Sequence, residues 1–350
     1  MVNIRHKLLL LFLVQSGLIF LPENHALGYE LGDGFRSGDF YLSGYTTIEI
    51  IDRFNVPKRL DLDDLSLFAG ANINRAVNPF AEVELSKQTL IREGGNPVNG
   101  DVIVERFYND VTVSESDTLR IGKMLAPIGK WNQIHATPLV PTITRPYTTA
   151  LGFDAYTSGI NWIKEEEDNG KLDFQIYGEP GVELFKRPAS QSIRSFSHTL
   201  GANISIPLGL LDSAGLSFQH GEYVETGEIY TLVGVDVEES FNDLKFQSEA
   251  ITARFSGTVL SGSLPRLHDT EAGIFVLADY SLTPKWHTIL EGEYYQDHTV
   301  DEPSRSTSIN IAYKYKPSTV WKLEYIHQAG VSASFAPIST GFKASFATLF

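Results

Sequence analysis

The sequence predicts an all-β fold: a transmembrane antiparallel barrel of about sixteen strands, with its third outer loop folded into the lumen. Three observations carry this expectation. Runs of roughly ten residues between 39 and 350 alternate apolar and polar side chains, the period-two pattern of strands with two unlike faces. The connections between runs fall into alternating short and long sets, as a barrel with one rim of tight turns and one of longer loops requires. The last ten residues, GFKASFATLF, place Phe342, Ala344, Phe346, Thr348 and Phe350 in a single, largely apolar row.

Taken in order, residues 1–28 read as a secretory signal peptide. Arg5 and Lys7 precede an apolar stretch from Leu8 to Leu21, and the small residues Ala26 and Gly28 follow; the stretch is too short and too lightly flanked for a membrane span. Residues 29–350 then form one barrel domain. Its first strand lies near DFYLSGYTTIEIID and must meet the last, because unpaired backbone amides are not tolerated in lipid. In KLDFQIYG, Leu172, Phe174 and Ile176 oppose Lys171, Asp173 and Gln175, and in VWKLEYIH, Trp321, Leu323 and Tyr325 oppose Lys322 and Glu324. The short connections are 74–79, 114–118, 165–170, 207–213, 240–243, 282–285 and 316–319. The long ones are NVPKRLDLDD, EGGNPVNGD, 124–158, EPGVELFKRPASQSIRSFS, VETGE, SGSLPRLHDT, DHTVDEPSRS and GVSASFAPIST. Seven turns and eight loops join sixteen strands. Tyr294, Tyr295, Tyr313, Tyr315, Trp321 and Tyr325 sit toward strand ends, where aromatic rings anchor a barrel at the headgroup level.

The third long loop carries the functional expectation. Residues 124–158 are stiffened by Pro127, Pro138, Pro141 and Pro146 and hold Leu125, Ile128, Trp131, Ile134, Leu139, Val140, Ile143, Leu151 and Phe153. So apolar a segment needs a surface to pack against, and a sixteen-stranded lumen is wide enough to supply one. Lys130, His135 and Arg145 are its expected constriction groups. Alternation turns Glu49, Glu82, Glu84, Lys171, Asp173, Asp236, Lys245, Lys322 and Glu324 toward the lumen, with Val83, Leu85, Val235 and Val237 outward. At Glu105, Arg106, Arg120, Lys123 and Glu249 the alternation is imperfect or the strand ends. Facing charges of both signs set up a transverse field that filters solutes.

The export signal, the alternation and terminal Phe350 together resemble bacterial outer-membrane porins. In that family a terminal aromatic with apolar residues at alternate positions behind it is what the barrel-assembly machinery reads, which implies Phe350 and Phe346 as the assembly signal. Thr348 departs from the usual aliphatic or aromatic. LRIGKMLAPIGKWNQIHATPLVPTITRP, residues 119–146, is similar to segments of porins that include the phosphate-selective type, although only scattered Lys and Arg stand where such relatives carry a basic ladder. The resemblance implies a channel for passive diffusion of small hydrophilic solutes or ions. The expected partners are outer-membrane lipid and lipopolysaccharide, the assembly machinery and a homotrimer; no cofactor or metal is expected.

Composition narrows the alternatives. The chain carries 28 Lys and Arg against 43 Asp and Glu; without residues 1–28 the balance is 26 to 42, which disfavours nucleic acid as a partner. There is no cysteine, so neither disulfide nor thiol chemistry is available. Zinc, P-loop, dinucleotide and GxSxG patterns are absent. EEEDNG at 165–170 lacks the distal glutamate of a calcium loop, and DLDD at 61–64, placed on an outer loop, offers at most a surface site for divalent cations. Two rivals remain. One is a barrel enzyme of lipase or protease type, using groups such as Ser217, His220, Glu222, His287 and Glu291; the other is a structural or adhesive barrel with a plugged lumen.

Overall fold

The computed structural model describes residues 29–30, 34–54, 56–134, 136–165, 172–188, 195–207, 212–260, 265–330 and 340–350. The segment read as a signal peptide lies outside the described residues. Two short strands, β1 (Tyr29–Glu30) and β2 (Gly34–Ser37), form a small hairpin that pairs onto the next strand. Sixteen barrel strands follow: β3 (Phe40–Arg53), β4 (Arg59–Ala71), β5 (Pro79–Arg92), β6 (Asp101–Thr112), β7 (Asp117–Leu125), β8 (Tyr156–Lys164), β9 (Asp173–Glu179), β10 (Phe196–Ile206), β11 (Ser213–Tyr223), β12 (Glu228–Phe241), β13 (Leu244–Ser256), β14 (Thr270–Ser281), β15 (Trp286–Gln296), β16 (Ser304–Lys316), β17 (Thr319–Gly330) and β18 (Gly341–Leu349). Each pairs antiparallel with its successor, and β18 pairs with β3 from Gly341 against Arg53 to Leu349 against Tyr45. The sheet is therefore closed, and no strand edge of the cylinder is left open.

The two faces separate as the alternation requires. Along β12, Glu228, Tyr230, Leu232, Asp236 and Glu238 are buried inside, while Ile229, Val233, Val235 and Val237 are exposed on the outer wall. Leu290, Ile309, Ile311, Trp321 and Leu323 continue the outer apolar belt. Trp286 lies against Tyr313 with ring centroids 4.7 Å apart, and Trp321 against Phe346 at 4.5 Å, near the short-turn rim. Tyr295 departs from the aromatic-belt expectation: at 1% exposure it points inward and packs on Tyr147.

At the seam, Phe350 exchanges both backbone hydrogen bonds with Gly44, at 2.8 and 2.9 Å. Its ring lies over that glycine, where a Cβ would come within 3.0 Å of the ring and 2.2 Å of the Ser66 carbonyl. An aromatic side chain thus covers the backbone that a glycine leaves bare, a recurrent way of shielding glycine in sheets.

DLDD does not lie on an outer loop. The first outer connection spans only 54–58, and Asp61 to Asp64 belong to β4. The misreading has a physical cause: this part of the sheet is bulged, so the sequence loses its period of two. Thr47 pairs with Asp64 but Ile48 with Leu62; Leu60 pairs with Ile91 but Asp61 with Thr89; Glu82 pairs with Arg106 but Val83 with Val104. Each bulge adds a residue to one strand and re-aims the side chains around it.

Candidate functional site: a loop folded into the barrel

The connection between β7 and β8, residues 126–155, is the third of the long set. Its apolar side chains are sequestered inside the cylinder: Ala126, Ile128 and Leu151 are fully buried, and Tyr147 and Phe153 nearly so. They join inward-facing side chains of β9 to β17, among them Tyr177, Tyr230, Leu232, Phe255, Tyr295 and Ile326, in one apolar cluster. A second cluster sets Trp131 edge-on to Phe275 at 5.5 Å, with Leu277, Ile289 and Val320. Part of the lumen is consequently dry, which an evenly water-lined barrel would not show, because the hydrophobic effect drives the loop onto the wall. Pro146, with φ of −56°, leads into a single helical turn, Tyr147–Ala150, that holds Tyr147 against this wall.

The loop's backbone polar groups are then satisfied by wall charges, as burial demands. The Glu249 carboxylate accepts the amides of Lys130 and Trp131 at 2.9 and 2.5 Å. The Lys322 ammonium donates to the carbonyls of Thr137, Val140 and Thr142. Glu324 accepts the amides of Ile143 and Thr144, each at 3.0 Å, and the Thr144 hydroxyl. Glu293 accepts the Thr148 amide at 2.7 Å and its hydroxyl at 2.8 Å. Lys322 and Glu324, expected to face solute, therefore face inward but hold the loop.

The remaining expected residues divide by partner. Lys130 reaches from the loop to the wall, its ammonium 2.9 Å from both Ser213 and Glu238; Lys245 meets the same Glu238 at 3.1 Å. Asp236 is buried beside Gly215, where a Cβ would strike its carboxylate at 2.2 Å. Glu49 pairs with Lys343 at 2.8 Å, Glu82 with Arg106 and Ser66, and Glu84 accepts the Tyr45 hydroxyl at 3.1 Å. Asp173 begins β9 on the face shared by Gln175 and Tyr177. Arg145 donates to Asn132 at 2.7 Å and Thr149 at 3.2 Å; burial pulls its pKa down to about 10, so it remains cationic at neutral pH. His135 and Lys171 lie outside the described residues.

Between this loop and the wall of β3 to β6 is a cavity of about 320 Å³. Tyr45, Asp63, Asp64, Glu84, Lys87 and Glu105 line it from the wall, Trp131, Thr137, Val140, Thr142 and Arg145 from the loop, and Arg187 from the connection between β9 and β10. A second cavity of about 170 Å³ lies between the loop and the wall of β12 to β17, where Lys130, Asp236, Lys245, His287, Lys314 and Lys322 line it; Trp131 and Val140 border both. Sequence reasoning missed Asp63, Asp64 and Lys87, which sit where bulges interrupt the alternation, and Arg187, whose position depends on a tertiary contact with Asp154 at 2.7 Å.

The residues considered for catalysis divide between the two faces of the wall. His220 is exposed on the outer wall and bonds Thr231 at 2.8 Å, and Glu222 lies 3.8 Å from His198 on that side. Ser217 is buried inside, accepting the Gly129 amide at 3.0 Å, and His287 is paired with Asp279 at 2.9 Å. Near the long-loop rim Glu271, Asp297 and His298 come within 4.8 Å of one another, a grouping the histidine spacing did not reveal. There the imidazole Nδ1 lies 2.6 Å from Glu271 and the ring stacks on Phe255 at 3.8 Å.

No family model matches the chain. Over 108 residues it is 32% identical to an uncharacterized protein of Aquifex aeolicus, a match that spans 30% of this chain and 24% of that protein. Solved structures align along nearly the whole barrel. A loop L8 deletion mutant of OmpT, an outer membrane protein of Vibrio cholerae, superposes with a TM-score of 0.62 at 14% identity, over 90% of this chain and 100% of that one. Salmonella typhi OmpF gives 0.63 at 10%, covering 89% and 98%, and an anion-selective porin from Comamonas acidovorans 0.59 at 11%, covering 90% and 100%.

The fold is porin-like.

With sequence identities this low, what is shared is architecture, a closed β-barrel.

Proposed function

We propose that this protein is an outer-membrane porin, a passive channel for small hydrophilic solutes or ions, reached by export after removal of residues 1–28. What supports the reading is the arrangement at the inward loop. An apolar outer belt encloses an interior lined in part by charged and polar groups, and the loop leaves a cavity with carboxylates on one wall and Arg145 on the other. Ser217 and His220 point to opposite sides of β11 and so form no catalytic pair. Lipopolysaccharide at the outer rim and a homotrimer complete the proposal, the latter in keeping with an OmpT of Vibrio cholerae described in a trimer form.

Planar-bilayer recording tests it. The purified protein is expected to give discrete conductance steps, and a variant lacking residues 131–145 to give larger ones while still migrating as a heat-modifiable barrel. Silence in the bilayer sinks the channel; equal steps from the shortened loop remove that loop from the conduction path.

A further inference from the structure

The cavity between the inward loop and the wall of β3 to β6 has an uneven charge, and the unevenness comes from where the sheet is bulged. In the β4–β5 ladder Asp63 and Lys87 drop out together, Leu62 pairing with Gln88 and Asp64 with Ser86. Lys87 takes up φ of +55° there, a strained value for a side chain with a Cβ. On the next pair Glu105 is the residue left over between Val104 and Arg106. Strict alternation would point a residue beside Asp64 or Arg106 away from the lumen, yet Asp63, left over in the β3–β4 ladder, and Glu105 both line the cavity. The bulges therefore add chargeable side chains to one wall of the narrow section, the kind of re-aiming bulges are kept for.

Among the described residues the cations lining this cavity are fewer than the anions. Arg187 is taken up by Asp154 at 2.7 Å and Glu183 at 3.3 Å, and Glu183 is shared with Lys123 at 2.8 Å, two positive groups against two negative ones. Besides that group, the lining holds Lys87 on the same wall and Arg145 on the loop, against the carboxyl groups of Asp63, Asp64, Glu84 and Glu105. Asp64 accepts the Thr137 hydroxyl at 2.8 Å and Glu84 the Tyr45 hydroxyl at 3.1 Å, neutral donors that bring no opposite charge. A fixed excess of one sign in a narrow passage with low-dielectric walls raises the local concentration of the opposite sign and repels the same sign. Arg145, on the far side, gives the field a direction across the passage.

Resting on the channel reading above, we propose that this pore selects cations over anions, and that Asp64, Glu84 and Glu105 are its specificity-determining residues, with Arg145 opposing them. Small solutes bearing an ammonium or guanidinium group are the favoured class, because such a group can run along the carboxylate wall.

The test is the reversal potential across a bilayer separating unequal potassium chloride solutions. The native channel is expected to pass potassium over chloride by roughly threefold or more. A variant carrying Asp64→Asn, Glu84→Gln and Glu105→Gln is expected to fall to about unity, and Arg145→Gln to rise above the native ratio. Glu302→Gln, an exposed charge on the connection between β15 and β16, should leave the ratio unmoved, so that net protein charge is controlled. Heat-modifiable migration reports folding; if the triple variant does not fold, Glu84→Gln alone is expected to lower the ratio. A native channel that prefers chloride or neither ion overturns the proposal, as does a native preference that survives the carboxylate substitutions. A silent native protein would instead sink the channel reading itself, and this proposal with it.

Discussion

Replacing Glu324 by alanine strikes the loop at one of its most heavily bonded wall groups. The carboxylate has no exposed surface, accepts two loop amides at 3.0 Å and a hydroxyl, and lies 3.9 Å from the Arg53 guanidinium. Hydrogen bonds to a charged group contribute about 1.5–3 kcal/mol each, and removing one member of a buried ionic arrangement costs about 3–5 kcal/mol, because the partners stay buried. Their effects overlap, so a combined cost of about 4 kcal/mol to the docked loop is the reasonable figure. At 1.4 kcal/mol per factor of ten, transient opening around Ile143 and Thr144 should become about a thousandfold more frequent. Amide hydrogen exchange in detergent micelles reads this directly, without any assumption about conduction. Ile143 and Thr144 should lose protection, while strand amides of β12 and β13, far from the anchor, keep theirs. Glu324→Gln retains one acceptor oxygen and should fall between. Undiminished protection of the two loop amides in the alanine variant would show that the apolar clusters alone hold the loop, and the electrostatic anchoring argument would be wrong.

Other expectations are simpler. Gly201→Ala drives a Cβ to within 2.2 Å of the buried Tyr177 ring; overpacking of this kind costs about 1–3 kcal/mol and should lower the temperature at which the β-sheet circular dichroism is lost. Val235→Arg places a charge at mid-strand on the outer belt, where Val235 is 49% exposed, and should destabilise refolding into bilayers by about 2–4 kcal/mol, measured by denaturant titration in vesicles. Phe350→Asp puts a carboxylate over Gly44 and removes the terminal aromatic; less folded barrel in the outer-membrane fraction is expected, and normal amounts would argue against an assembly role for Phe350 and Phe346.

The architecture was legible because period-two alternation and the rhythm of connections are local properties of the chain. Val235 and Val237 outward with Asp236 inward is a statement three residues long, and the structure repeats it. The inward loop was also readable, since so many apolar side chains between Ala126 and Phe153 have to find a surface. What stayed hidden depends on partners distant in sequence. Nothing within VWKLEYIH reveals that Lys322 and Glu324 hold carbonyls and amides about 180 residues away instead of meeting solute. The carboxylates of β4 and β6 were obscured for another reason: a bulge shifts the phase of the pattern, so DLDD looked like a polar loop and Glu105 beside Arg106 looked ambiguous. Arg187 came to light only with the contact that brings Asp154 beneath it.

The placement of Lys322 and Glu324 two positions apart on β17 has one more effect. Were that strand to slip by a single position against either neighbour, both charges would swing out of the cylinder together, and at least five backbone groups of the inserted loop would be stranded without partners. A mispaired wall thus cannot seat its own inserted loop, so the interior proofreads the alignment of the staves around it.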